Sequence, residues 1–270
     1  MIGSPAVRAR RPAVLDDLIM VVRQLRYEQL NFWRNRFAAL MTVVFSVVFM
    51  LFTVASTGHS ARLAALGGVR ALQYFVPGFA AYGVMSACYS NLGISLVVRR
   101  EVGLLKRLRL SPIPTWILFS AILANAAVVS VLQVAVLLVI GRFGFGLVLP
   151  HQWLALVLAV VIGVICFSAL GVGISAVVPS QESAGPIISL SFFVLLFLSG
   201  LWFPLSKGST LAKIADYFPI HHLILAFWRP FDPLPGASPW SWHDLLVVGV
   251  WGAAASVVAV RRFRWEPHRR

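Results

Sequence analysis

The side chains that could carry acid–base, nucleophilic or metal chemistry in this 270-residue chain are nine carboxylates, six histidines and two cysteines, and they do not assemble into a catalytic set. The Asp and Glu residues are confined to tails and loops. Intramembrane ionisable groups mark proton and ion paths, so their absence from the apolar blocks argues against a proton-coupled carrier or an ion channel. Cys88 and Cys166 sit inside apolar runs, where thiols act as small hydrophobes. His221 and His222 are adjacent and have no carboxylate or cysteine at ligand spacing, so no metal site is expected there. No G-x-x-x-x-G-K-[ST] loop occurs, which leaves the chain without the usual cradle for ATP phosphates. Gly171-Val-Gly173-Ile-Ser-Ala176 has the form of a dinucleotide fingerprint, but it lies inside an apolar run with no acidic residue about twenty positions on. Packing of small residues, as in Ala169-x-x-x-Gly173, accounts for it better. No catalytic residues and no cofactor of its own are expected.

One stretch combines charge and pattern. Between Val98 and Pro114 the cations Arg99, Arg100, Lys106, Arg107 and Arg109 stand with Glu101 on one side of a helical spacing. Leu104, Leu105 and Leu108 stand on another, and Ser111-Pro112 stops the helix. A purely solvated loop has no need of ordered leucines closed by two prolines. The pattern reads as a short helix pressed against another protein.

The elements that must position this stretch are apolar. Hydrophobic residues make up 59% of the chain and charged residues 12%, against roughly 45–50% and about a quarter in a soluble domain. Several apolar blocks reach the roughly 18–20 residues that span about 30 Å of hydrocarbon. The fold class is therefore an all-α polytopic membrane protein. Six transmembrane helices are predicted at about 37–56, 75–98, 115–140, 153–178, 186–203 and 244–260, with Pro186 opening the fifth. Before them, residues 1–36 comprise a basic tail and an amphipathic helix. In that helix Leu15, Leu18, Ile19, Val22, Leu25, Phe32 and Trp33 form one side and Asp16, Asp17, Arg23, Gln24, Glu28, Asn31 and Arg34 the other. That is the pattern of a helix lying in the membrane interface. Residues 204–243 form an external segment with short re-entrant helices before the last span, and 261–270 are a basic tail.

The net charge of +14 would point to nucleic acid in a soluble chain, but here the cations flank apolar blocks and set topology. Seventeen of the 23 Lys and Arg fall on segments that share a side with the N-terminus, and six on the other. Both termini are thus expected in the cytoplasm, in a bacterial plasma membrane, with membrane lipids as surroundings and no nucleic-acid partner.

From Arg99 to Ile113 the sequence resembles the segment E-R-E-x-G-T-L-E-x-L-x-x-T-P-[IL] that joins the second and third helices of ABC-2 type (type V) exporter permeases. Glu101, Gly103, the leucines and Pro112 match; Arg99, Leu104 and Lys106 depart from it. Pro77-Gly78, at the opening of helix two, resembles the family's P-G segment. Ser199-Gly200-Leu201-Trp202-Phe203-Pro204 resembles its S-G-x-x-F-P motif, and Pro219-Ile220 followed by Arg229 its external P-[LI]…R.

The resemblance implies a six-helix permease domain over 37–260 that pairs with a second permease, identical or different. Two separate cytoplasmic ATPases would bind the ATP and Mg, so the chain itself would not be an enzyme. Coupling to the ATPase would fall to Arg99, Arg100, Glu101, Gly103, Leu104, Leu105, Lys106, Arg107, Leu108 and Pro112. Tyr82, Ser86, Tyr89, Asn91, Phe193 and Phe197 would border the translocation route, and Phe203, Pro204, Pro219 and Arg229 the external gate. The greasy, aromatic faces favour outward movement of a hydrophobic or amphiphilic substrate (a drug or lipid). The alternatives are export of a lipid-linked polysaccharide, or a membrane enzyme or scaffold unrelated to ABC transport.

Overall fold

The computed structural model describes residues 13–58, 61–63, 68–105, 114–202, 205, 209–231, 238 and 240–262. Helix α1 (Ala13–Arg34) is followed by α2 (Arg36–Thr57). A two-stranded antiparallel ribbon, β1 (Arg62–Leu63) and β2 (Val69–Arg70), then leads into α3 (Ala71–Met85). A π-helical turn over Ser86–Asn91 carries α3 on into α4 (Leu92–Glu101). Helices α5 (Thr115–Phe145), α6 (Trp153–Val177) and α7 (Gln181–Leu198) follow. After them come the short α8 (Thr210–Ala215), α9 (Pro219–Trp228) and α10 (Trp242–Arg262).

Among the described residues, five stretches are long and apolar enough to cross a membrane: Ala71–Glu101, Thr115–Phe145, Trp153–Val177, Gln181–Leu198 and Trp242–Arg261. The remaining predicted span, 37–56, lies on α2, whose apolar part, Thr42–Thr57, is shorter. The all-α polytopic architecture expected from hydropathy is thus the architecture observed.

Helix α3 is buried along its whole length, because α2, α5 and α9 pack around it. Phe79, Met85, Leu137, Phe167, Ile188 and Phe227 form the centre of the core. Polar side chains also enter that core. Gln133 is fully buried on α5 and donates to the Thr42 carbonyl (2.8 Å) and to Ser46 Oγ (2.5 Å), both on α2. Gly83 makes room for it, since a Cβ there would lie 2.7 Å from the Gln133 carboxamide carbon. A hydrogen bond of this kind joins spans where hydrophobicity alone gives helices no reason to associate.

Three expected boundaries shift. Helix α7 starts at Gln181 rather than at Pro186, because Ser180 caps it: its Oγ accepts from the Ser183 amide, and Ser183 Oγ accepts in return from the Ser180 amide. Pro186 therefore sits in the second turn. The same helix ends at Leu198, before Gly200 at φ +78°, and not at residue 203. Pro77-Gly78 lies inside α3 rather than at its opening, and Gly78 there admits the Leu201 side chain, which would come within 2.5 Å of a Cβ.

The small-residue contact on α6 is also displaced from its expected register. Gly171 is the close approach, where a Cβ would collide with the Cys88 carbonyl of the π turn, while Gly173 has nothing within 4 Å. The two short helices expected before the last span are present as α8 and α9. Helix α9 buries Ile220, Leu223 and Phe227 against α3, α6 and α10, so its backbone is enclosed by protein. Pro219 occupies its first turn.

Candidate functional site

Helix α1 docks through Glu28 and Gln29. Glu28, 7% exposed, receives both terminal nitrogens of Arg99 from the end of α4, at 2.7 and 2.5 Å. Arg99 Nε completes the fork by donating to Ser95 Oγ at 3.1 Å. Two positions of a guanidinium thus clamp one carboxylate, the geometry that makes an ion pair directional. One residue further on α1, Gln29 donates to Asn125 Oδ1 of α5 at 2.9 Å and accepts from Trp33 Nε1 at 3.1 Å. Leu18, Ile19 and Val22 remain exposed, an apolar face of the kind an amphipathic helix offers to a membrane interface.

Arg100 points the other way. It is 2% exposed, and its terminal nitrogens donate to the carbonyls of Ser175 (2.8 Å) and Val178 (2.6 Å). Those carbonyls close α6, so the cation satisfies unpaired acceptors and meets the negative end of the helix dipole. Arg100 Nε also lies 3.4 Å from Glu101 Oε1. Beyond Glu101 the chain turns at Gly103 (φ +71°), where left-handed backbone favours glycine, and Leu104–Leu105 begin the next helical turn. Leu105 is buried at 2% exposure, whereas Val102 (57%) and Leu104 (39%) face outward.

The segment expected to carry coupling is therefore divided. Arg99, Arg100 and Leu105 hold α1, α6 and the core, and Val102, Gly103 and Leu104 form the presented edge. Lys106, Arg107, Leu108 and Pro112 lie outside the described residues. Glu28 and Gln29, which anchor α1, were not singled out by the sequence. A carboxylate on the polar side of an amphipathic helix, opposite an Arg-Arg pair, was the available signal.

The residues expected along a route separate into two groups. Tyr82 packs edge-on against Phe192 at 5.5 Å, Tyr89 OH lies 2.7 Å from Ser191 Oγ, and Gly93 adjoins Ile188. These three fasten α3–α4 to the inner side of α7. Asn91 Nδ2 donates to Thr42 Oγ1 on α2 at 3.0 Å, and Ser86 is half-buried in the π turn. Phe193 (58% exposed) and Phe197 (59%) lie on the outer side of α7 with Leu190 and Val194. A cavity of about 610 Å³ opens between α1, the π turn, α4 and α5, with Asn31, Asn91, Ser95, Arg99 and Asn125 in its wall. A second, of about 450 Å³, is lined almost wholly by apolar side chains of α5, α6 and α10, among them Phe119, Ile165 and Val260.

At the other end of α3, Tyr74 OH donates to the Gly200 carbonyl at 3.0 Å, and Trp228 meets the Tyr74 ring edge-on. Arg229 stacks over Trp228, with its guanidinium carbon 5.9 Å from the ring centroid. Phe203 and Pro204 lie outside the described residues. On α9, His222 is buried; its Nε2 donates to the Asp216 carbonyl at 2.9 Å, and its Nδ1 lies 2.7 Å from Asp244 Oδ1. Burial alone would lower the pKa of this imidazole, but the Asp244 hydrogen bond, with further help from Asp216, outweighs it and leaves the pKa above its ordinary value.

Comparison with known proteins agrees with this architecture. The chain is 26% identical over 177 residues to a Bacillus subtilis (strain 168) protein named "Putative transport permease YvfS", covering 65% of this chain and 70% of that one. A family model described as ABC-2 type transporter matches residues 20–228, which hold α1's docking face, the Arg99–Arg100 junction and α9. The chain belongs to the ABC-2 type transporter family.

Proposed function

We propose that this chain is the permease subunit of an ATP-driven exporter in a bacterial plasma membrane, with both termini cytoplasmic and a separate ATPase bound at the α1–α4 junction. The observation that carries the reading is the clamp of Glu28 on Arg99. It makes the interfacial helix and the end of the α3–α4 span one mechanical unit, and Arg100 adds the end of α6 to it. A push on the exposed edge at Val102 and Leu104 then reaches three helices at once. The ATPase supplies ATP and Mg, and this chain supplies no catalytic group.

A second copy or a paralogue pairs along the apolar outer side of α7, where Leu190, Phe193, Val194 and Phe197 are exposed. The substrate is amphiphilic, a drug or lipid. The polar cavity beside Asn31, Asn91 and Asn125 suits a headgroup, and the apolar cleft between α5, α6 and α10 suits a chain. The amide-rich wall also keeps the lipid-linked polysaccharide reading in play, since amides hydrogen-bond sugar hydroxyls.

Affinity purification of the tagged chain in mild detergent tests the reading. Recovery of a soluble ATPase with a phosphate-binding loop supports it. Recovery of the chain alone, under conditions that keep other transporter complexes intact, removes the ATPase and with it the exporter assignment.

A further inference from the structure

The described residues bring three metal-ligating side chains together at the α9–α10 corner, away from the α1–α4 junction. One ring nitrogen each of His222 and His243 and an Asp244 oxygen all lie within 4.8 Å of one another. The carboxylate that meets His222 comes from 22 positions further on.

The orientation of His222 is specific. A backbone carbonyl only accepts, so the Nε2 that bonds the Asp216 carbonyl carries a hydrogen. Nδ1 is left facing Asp244 Oδ1 at 2.7 Å. This is how metal-bound imidazoles are held: one ring nitrogen fixed by a backbone or carboxylate acceptor, the other turned to the ion. Between an imidazole nitrogen and a carboxylate oxygen at that separation there must be a positive centre, and a metal ion can take the place of the proton. Tetrahedral zinc, with bonds of about 2.0–2.2 Å, holds neighbouring ligand atoms roughly 3.3 Å apart. The observed separations bracket that value, at 2.7 Å for His222–Asp244 and 3.9 Å for His243–Asp244. His243 is 83% exposed, so its ring has space to close the difference without movement of the α10 backbone.

We propose that His222, His243 and Asp244 form a binding site for a divalent late transition-metal ion, zinc foremost, with water in the fourth position. Two imidazoles and one carboxylate suit zinc, nickel or copper and are a poor set for magnesium or calcium. On binding, the proton between Nδ1 and Oδ1 leaves to solvent and the ion joins α9 to the first turn of α10. Helix α9 packs against the core through Ile220, Leu223 and Phe227, so the ion fixes a re-entrant helix to a spanning one. This site is independent of the transport reading.

The test is zinc titration of the purified, chelator-stripped full chain in detergent against a chromogenic chelator, with magnesium as control. One zinc per chain is expected, with no competition from magnesium. His243→Ala is expected to weaken binding by about tenfold or more, the scale on which metal-site contacts act. That position is exposed, so the variant decides the matter even where Asp244→Asn or His222→Gln fails to fold. Absence of zinc binding, or zinc binding that His243→Ala leaves unchanged, overturns the proposal.

Discussion

Glu28 of α1 and Arg99 of α4, 71 positions apart, form a two-pronged ion pair at 2.7 and 2.5 Å in which the side chains are 8% and 14% exposed. Breaking one partner of such a pair leaves an uncompensated, largely desolvated charge, which costs about 3–5 kcal/mol when burial is complete. The residual exposure here reduces that to about 2–3 kcal/mol. Glu28→Gln and Arg99→Gln should each lower the thermal midpoint of the purified chain in detergent. The double variant should lose less than the two losses combined, because neither charge is then stranded. Strictly additive losses would show that the pair is not coupled.

Arg100 offers a sharper case, because its role depends on the shape of its head group. The two carbonyls it reaches, of Ser175 and Val178, take separate nitrogens. A lysine ammonium is a point donor and cannot match the guanidinium fork. A hydrogen bond from a charged group contributes about 1.5–3 kcal/mol. Arg100→Lys should therefore destabilise by about 2 kcal/mol despite keeping the charge, and Arg100→Ala by more. Thermal unfolding in detergent reads both; wild-type behaviour of Arg100→Lys would mean that charge alone suffices.

The two arginines also show what sequence could and could not convey. The Arg-Arg-Glu-x-Gly-Leu-Leu run and the apolar blocks were plain, because they are local patterns with the period of a helix. The long-range partners were not. Glu28 and Ser175 lie 71 and 75 positions from the residues they bind, and no local spacing encodes that. Placing Arg99 and Arg100 together on one side overlooked that two adjacent helical residues point about 100° apart, so Arg99 reaches α1 while Arg100 enters the core. Helix ends were misplaced where a serine cap replaced the acidic residue of the usual box, as at Ser180–Ser183. Tyr82 and Tyr89, expected along a route, pack on the inner side of α7, with Phe193 and Phe197 on its far side.

The register of α6 against the π turn yields a paired prediction. A Cβ at Gly171 would strike the Cys88 carbonyl and stand 3.0 Å from the Tyr89 carbonyl, both backbone atoms that cannot rotate away. Overpacking of this kind costs about 1–3 kcal/mol. Gly171→Ala should lower the thermal midpoint by that scale and reduce expression. Gly173→Ala meets open space and, in a helix, gains propensity, so it should be neutral or slightly stabilising. Equal effects at the two positions would contradict the packing.

The presented edge at the end of α4 separates partner contact from folding. Leu104 is 39% exposed beside Val102 at 57%, whereas Leu105 is 2% exposed. Leu104→Glu should leave the thermal midpoint of the isolated chain nearly unchanged and abolish co-purification of the ATPase, because a charge replaces an apolar contact at the proposed interface. Leu105→Glu should fail earlier, by burying an unpaired carboxylate. Gly103, at φ +71° with none of the described residues within 4 Å of a Cβ, has space for a side chain among them but not the backbone preference. Gly103→Ala should cost about 1 kcal/mol from the left-handed conformation alone. A Leu104→Glu chain that still retains the ATPase and still supports ATP-dependent export would move the docking surface away from this edge, and a Leu104→Glu chain that unfolds would show that Leu104 belongs to the core.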